Sequence, residues 1–429
     1  MCRQYHFARE VWIIEMNTHN SAPFLFVGNG PYCNRGCEAI SKCTIKLVRE
    51  HYTDVPIING NQMSDYDQVD ETEPNVTHLP CRCMPGKFSR LGVSNWLYEH
   101  TRILVDFSSA GKFVRTWAPR SRAVLSMGGD LYGLSMGRAC LIQYLFLGEA
   151  ALACRKPFII WCATIGRMEE EPYLKKRVMN HFKRCSLILV RESESLNYLA
   201  KNGVHDNVRL VADPAFLLEP VPPSVSLPIR EPLSETIGIN IAGAYAMTGK
   251  LGTYRDTVKL AADCVQMIMA ETGRPVLLVP HVVATHVSAG DNDTIFLCLV
   301  REALLARGID VPMLPSWMRS WEIKWVLGQL KAYIGSRFHS TISSMGAGTP
   351  TLSIVFSEKG PALNEFIFGH RQYVLDYASL TPERLLEKVD FLLSEEAEVR
   401  QILGKRIPEM QQLARSAGDY LAEVVPIEK

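Results

Sequence analysis

A chain of 429 residues is about three times the usual domain size, which predicts two domains, and its 47% hydrophobic and 21% charged residues match ordinary globular composition. Forty-six Lys and Arg against 45 Asp and Glu leave a formal charge of +1, so there is no basic field for nucleic acid and an anionic ligand needs a local cluster of cations. No apolar run reaches the roughly 20 residues of a membrane-spanning helix and the first thirty residues lack a signal-peptide pattern, which predicts a cytoplasmic protein with at most peripheral membrane association.

Residues 1–22 show no regular pattern and read as an extension. Phe24–Val27 then reads as a strand, Glu38–Glu50 as a helix with Ile40, Leu47 and Val48 on one side, and Pro56–Ile58 as a second strand. Asn61–Pro80 is polar and broken by Pro74, which predicts a surface loop. Ala123–Met127, Phe158–Ala163, Leu187–Val190 and Val208–Val211 follow as strands separated by helical sequence. Apart from Ser126 and Arg209 they are continuous apolar runs, as parallel strands covered on both faces require. Strands and helices taking turns predict an open parallel sheet over a first domain, residues 23–219.

Pro220-Val221-Pro222-Pro223, with Pro228 and Pro232, marks a linker over 220–235. A second domain, 236–395, offers strands at Ile237–Ile241, Val276–Val279, Ala332–Ile334 and Leu352–Val355. Its helices fit Asp256–Thr272, Thr294–Arg307 and Ile342–Gly346. The tail from Glu383 to Glu423 is amphipathic, and residues 396–429 are expected to form a helix that returns to brace the first domain.

Cys33, Cys37, Cys43, Cys81 and Cys83 are the only clustered cysteines among twelve, and their spacings match no standard zinc pattern. They read as unpaired thiols in a reducing compartment, with no metal site.

Ligands of open α/β sheets bind beyond the carboxyl ends of the strands, so the residues there are the candidates. The strongest set is Gly335-Ser336-Arg337-Phe338-His339-Ser340-Thr341, which follows a strand and opens a helix whose N-terminus favours an anion. Arg337 adds a fork of donors, His339 a titratable imidazole and Ser340 a further donor-side hydroxyl. The plain alternative is a strand–helix turn with a surface Arg and a capping Ser. Arg191 emerges at the matching place in the first half, where a salt bridge to Glu192 or Glu194 is the structural alternative. Asn34-Arg35-Gly36-Cys37-Glu38, Gly128-Gly129-Asp130 and Pro280-His281, the last ahead of Asp291 and Asp293, occupy three more strand ends. Asp213-Pro214 reads as a turn or domain-closing element rather than as chemistry.

Taken in order, these segments resemble the polysaccharide pyruvyl transferase family. The likeness runs from about Phe24 to Tyr377 and rests on Asn34-Arg35-Gly36-x-Glu38-Ala39-Ile40, Gly128-Gly129, Val190-Arg191-Glu192-Ser193 and Ala212-Asp213-Pro214-Ala215-Phe216. It continues through Gly238-Ile239-Asn240, Val279-Pro280-His281, Ser336-Arg337-Phe338-His339, Gly348-Thr349-Pro350 and Lys359. Cys37 and Asp130 depart from the family's pattern, which often has Asp and a third Gly there. The resemblance implies two doubly wound Rossmann-like domains with a fold like that of GT-B glycosyltransferases. The implied reaction moves a pyruvyl group from phosphoenolpyruvate to two hydroxyls of a sugar, oligosaccharide or lipid-linked saccharide, forming a cyclic ketal and releasing phosphate. Arg191, Arg337 and Lys359, with Ser340, would hold the donor in the second domain and His339 would be the general acid. Asn34, Gly129, Asp130 and His281 are the acceptor-side candidates. Phosphoenolpyruvate is then a co-substrate, and neither a cofactor nor a metal is needed. Two rival readings are a GT-B glycosyltransferase with a nucleotide-sugar donor, for which Glu358 is the one tempting ribose ligand, and a sugar-binding descendant without catalysis.

Overall fold

Four successive apolar residues are satisfied only by burial on both faces, and Phe24–Val27 accordingly becomes β1, a fully buried inner strand of a seven-stranded sheet. The computed structural model describes residues 22–81, 89–283, 291–356 and 359–427; the expected extension over 1–22 lies almost wholly outside them. After β1 come α1 (Arg35–His51), β2 (Ile57–Asn61), α2 (Ser64–Asp70) and β3 (Val76–Pro80). Helices α3 (Arg90–Thr101) and α4 (Ser109–Trp117) lead to β4 (Ala123–Met127), α5 (Arg138–Ala153) and β5 (Phe158–Ala163). The first half closes with α6 (Pro172–Phe182), β6 (Leu187–Val190), α7 (Ser193–Lys201) and β7 (Val208–Leu210). All seven strands run parallel in the order β3-β2-β1-β4-β5-β6-β7.

The second half holds β8 (Ile237–Asn240), α8 (Tyr254–Thr272), β9 (Val276–Leu278), α9 (Asp293–Leu305) and α10 (Ser320–Gln329). It continues with β10 (Ala332–Gly335), α11 (Phe338–Gly346), β11 (Thr351–Val355), α12 (Lys359–Phe368) and β12 (Val374–Asp376). These five strands are also parallel, ordered β12-β11-β10-β8-β9. Helices α13 (Pro382–Ser394) and α14 (Glu396–Val424) end the chain, and no helix among the described residues is long and apolar enough to cross a membrane.

The segment Asn61–Pro80 is not a loop. It carries α2 and β3, and β3 pairs with β2 from Val76–Ile57 to Pro80–Asn61. As the edge strand it alternates buried and half-exposed residues, so the criterion of a continuous apolar run passes over it. Pro74 lies ahead of the pairing, and Pro80 stands at its last position on an edge, where its missing N–H does no harm. Helix α11 likewise begins at Phe338, four residues before the expected Ile342.

Helix α14 crosses back to the first half and packs on α1. Tyr52 donates to the Val425 carbonyl at 2.5 Å, Arg415 pairs with Glu50 at 2.8 Å and His51 meets Asp419 at 3.2 Å. One apolar cluster therefore runs from Phe24 and Val48 through Ile237 and Ile334 to Leu403 and Leu421. Each sheet reverses its winding once, between β1 and β4 in the first half and between β8 and β10 in the second. The crevices at those two reversals are where a ligand of this fold belongs.

Candidate active site

Arg191 leaves the end of β6 into a buried position. Its Nε donates to Thr164 Oγ1 at 3.0 Å, the Thr164 hydroxyl donates to Glu192 Oε2 at 3.1 Å, and Nη1 donates to Asp213 Oδ2 at 2.5 Å. Its guanidinium carbon lies 4.8 Å from the ring centre of Phe338 in the second half. Thr164 reaches this place because β5 bulges between Ile160 and Ala163, where Cys162 has a left-handed φ of 49°. Arg191 Nη2 is buried with no hydrogen-bond partner among the described residues. A charged donor left so is unfavourable, and a ligand oxygen would complete it.

Asp213 has two tasks. One oxygen caps the turn Pro214–Leu217 by accepting the Ala215 N–H at 2.9 Å, and the other lies between Arg191 and His339. The His339 Nε2 contact is 3.6 Å, close enough for charge attraction and too long for a hydrogen bond, and Nε2 has no hydrogen-bond partner among the described residues. Burial alone would raise the Asp213 carboxyl, but Arg191 and then His339 hold it well below the usual range. His339 is the second residue of α11, and Gly36, in the first turn of α1, packs against its ring. A Cβ at Gly36 would lie 2.5 Å from the imidazole. The N-termini of α1 and α11 thus meet at one imidazole from opposite halves.

Arg337 caps α11, and its Nε and Nη2 edge is held by two carboxylates. Nη2 lies 2.8 Å from Asp293 Oδ1 and 2.9 Å from Asp291 Oδ1, while Nε donates to Asp293 at 3.1 Å. Nη1 has no partner among the described residues. Asp293 is fully buried and also accepts the N–H groups of His281 and Val282 and the Asn240 amide. Ser340 donates its hydroxyl to the Arg337 carbonyl at 2.7 Å. Lys359 opens α12, with its side chain outside the described residues; Glu358 lies outside them as well.

Asn34 and His281 lie at the seam between the halves. The Asn34 side chain caps α1 by accepting the Gly36 N–H, while its backbone forms an antiparallel bridge with Val282. Arg35 N–H donates to the His281 carbonyl at 3.1 Å and Val283 N–H to the Cys33 carbonyl at 2.8 Å. Burial, helped by the charges of His339, Arg337 and Arg35, pushes the His281 imidazole well below its ordinary pKa, so it is neutral. Close by, Glu38 of α1 accepts the Ser320 N–H of α10 at 2.9 Å, a carboxylate from one half capping a helix of the other.

Gly129 passes under Arg191, where a Cβ would sit 3.2 Å from Nη2. Beside it a cavity of about 660 Å³ is lined by Asp130, Thr164, Arg167, Glu192 and Lys201 from the first half and Arg371 from the second. Burial raises the thiols of Cys33 to about 11 and of Cys37 and Cys43 to about 12, so they are protonated. Cys83 lies outside the described residues.

The structure brings Arg191 and His339 together, with Gly129 against Arg191 and Asp130 on the adjoining cavity. It gives Asn34 and Ser340 to local hydrogen bonds. Asp213, read from the sequence as a turn, holds the centre and is a turn as well. Thr164 was missed, although it follows a strand and the strand-end rule applied to β5 would have found it. Gly36 gave no signal for its contact with His339, because that contact crosses the seam between halves.

A family model described as "Polysaccharide pyruvyl transferase" matches residues 34–358. The amylovoran biosynthesis protein AmsJ of Erwinia amylovora is 23% identical over 420 residues, covering 89% of this chain and 95% of its own. The UDP-GlcNAc 2-epimerase of Neisseria meningitidis, solved with UDP-GlcNAc, superposes with a TM-score of 0.58 at 12% identity, covering 93% of this chain and 98% of its own. A ugt transferase from Siraitia grosvenorii, solved with UDP, gives 0.55 at 11% identity, covering 94% and 99%. At such identities the likeness is one of fold, that of GT-B glycosyltransferases and sugar-nucleotide epimerases.

Proposed function

Because the chain belongs to the polysaccharide pyruvyl transferase family, we propose that it moves the pyruvyl group of phosphoenolpyruvate onto two hydroxyls of a saccharide, closing a cyclic ketal and releasing phosphate. The observation that carries this reading is the pair of buried nitrogens without hydrogen-bond partners, Arg191 Nη2 and His339 Nε2, on either side of Asp213. Phosphoenolpyruvate has a carboxylate and a phosphate on one enol carbon and no base or ring to grip. Its recognition rests on fixed cations and helix N-termini. Arg191, the Nη1 edge of Arg337 and the starts of α1 and α11 are groups of that kind, and Lys359 is a further donor contact by family resemblance.

In this reading His339 gives a proton to the methylene carbon, which leaves C2 electrophilic. One sugar hydroxyl adds to C2 and loses its proton. The bond from C2 to the phosphate oxygen then breaks, and the second hydroxyl adds to the same carbon as the ring closes. Of the two hydroxyl protons, one restores His339 and the other leaves with phosphate. Arg191 and Arg337 hold the departing phosphate, and Asp213 stabilises the imidazolium before it gives up its proton. The saccharide occupies the cavity beside Asp130 and Thr164, whose oxygens can order hydroxyls. No metal or organic cofactor enters the scheme, and a phosphoenolpyruvate donor implies a cytoplasmic reaction.

A melting-temperature screen tests the donor. Phosphoenolpyruvate should stabilise the protein and UDP-glucose should not, and incubation with phosphoenolpyruvate and a panel of saccharides should yield a pyruvylated product by mass spectrometry. Stabilisation by UDP-glucose with none by phosphoenolpyruvate overturns the reading.

A further inference from the structure

One stretch of the first half is apolar on the side that faces water. Helix α3 buries Leu91, Ser94 and Tyr98, yet Val93 and Trp96 on its other side are 54% and 58% exposed, and Ile103 and Phe107 just beyond it are 57% and 45% exposed. A surface helix ordinarily presents polar groups outward, and an exposed apolar patch with a polar rim marks a binding surface.

The rim here is cationic. Arg90, Lys112 and Arg115, all exposed, line a hollow of about 440 Å³ together with Val93 and Phe107. At the hollow itself Arg90, Lys112 and Arg115 stand against Asp106, three positive charges less one negative, in a chain whose total is +1. Asp106 pairs with Arg115 at 2.7 Å, and nearby Glu99 pairs with Arg138 at 2.9 Å. Exposed apolar side chains that include an indole, flanked by Lys and Arg, suit the boundary of an anionic bilayer.

We propose that this face docks on an anionic lipid surface. Its place in the fold gives the docking a purpose. Arg138 holds α3 through Asn95 at 3.0 Å as well as Glu99, and it opens α5 directly behind a loop whose Asp130 and Ser135 line the cleft cavity. Met136, in that same loop, is exposed. A docked molecule holds the cavity beside the headgroups, where a saccharide carried on a lipid presents its hydroxyls. The rival occupant is a second copy of the chain, which the rim disfavours, because a two-fold contact would set like charges against each other.

Co-sedimentation of the full chain with vesicles tests this, using phosphatidylcholine alone and an equal mixture of phosphatidylcholine and phosphatidylglycerol. Binding is expected to the anionic vesicles only, and to fall with salt. Arg90→Glu/Lys112→Glu and Trp96→Ser/Phe107→Ser should each bind at least about tenfold more weakly while melting like the parent. No binding, equal binding to both vesicles, or parent-like binding by either folded variant overturns the proposal. So does a vesicle-independent dimer that Trp96→Ser/Phe107→Ser abolishes. The two variants remove different atoms, and either one that folds decides the matter. Vesicle binding needs neither donor nor turnover, so its failure is separate from that of the donor screen.

Discussion

Asp213 lies between Arg191 and His339, the two groups that the proposed reaction uses, and its replacement separates binding from chemistry. An anionic donor arrives beside a carboxylate that repels it, so Asp213→Asn should bind phosphoenolpyruvate at least as tightly as the parent. Turnover should nevertheless fall by about 10²-fold, because the imidazolium loses its counter-charge. Calorimetric titration beside steady-state rates checks this, and a parallel loss of binding and rate makes Asp213 only a scaffold. His339→Gln, which keeps a hydrogen-bond donor and cannot deliver a proton, should lose at least about 10²-fold in turnover with donor binding retained; near-normal turnover would mean that His339 only positions the donor. Asp67 gives a test of stability. Burial raises its carboxyl to about 7 despite the N–H that Tyr32 donates, and its Oδ2 has no hydrogen-bond partner among the described residues. Between about pH 4 and 7 the folded state therefore holds a proton that the unfolded chain has lost, and stability falls as pH rises through that window. Asp67→Asn should raise stability by about 1–3 kcal/mol at pH 8 and leave it unchanged at pH 4, as read from urea midpoints. At this scale the sequence shows the groups that lie at strand ends, Arg191 and His339 among them, because a parallel sheet delivers such residues to one edge. It hides the pairings, since Asp213 meets His339 and Gly36 meets its ring only after two halves far apart in the chain have closed on each other.

Helix α1 starts at the seam, and its first turn is fitted to a partner more than 300 residues away. Gly36→Ala makes the fit measurable. Alanine favours helix over glycine by roughly 0.5–1 kcal/mol, so circular dichroism and melting temperature should hold or improve. The new methyl, 2.5 Å from the imidazole, must push His339 aside, and turnover should drop by at least about tenfold; unchanged turnover would mean that the ring moves freely. Strands announced themselves in proportion to their burial. Phe158–Ala163 and Leu187–Val190 have no polar residue to blur their ends and were read to the residue. Edge strands β3 and β12 were not seen, one because it alternates and the other because its short run, Val374-Leu375, ends at once on Asp376. Helix α11 was read late because its first turn, Phe338 to Thr341, is built for the cleft rather than for an apolar stripe.

At the level of the molecule, an apolar cluster common to both sheets joins Phe24 to Ile334 and Leu421, beside one cluster confined to the first half and one confined to the second. Calorimetry should therefore show a single unfolding transition for the full chain, whereas two resolved transitions would mean that the halves are energetically separate. Removing α14 by ending the chain at Glu395 strips the covering of Val399, Leu403, Met410 and Leu421 from that core. The shortened protein should aggregate or melt far below the parent. The same helix has a consequence for synthesis. Arg415 and Val425, which pair with Glu50 and Tyr52, follow them in the chain by 365 and 373 residues. Chains emerge from the ribosome at about 5–20 residues per second, so the side of α1 that α14 covers stays open for some tens of seconds while the residues between are made. During that time the nascent chain is a client for whatever shields apolar surface during translation.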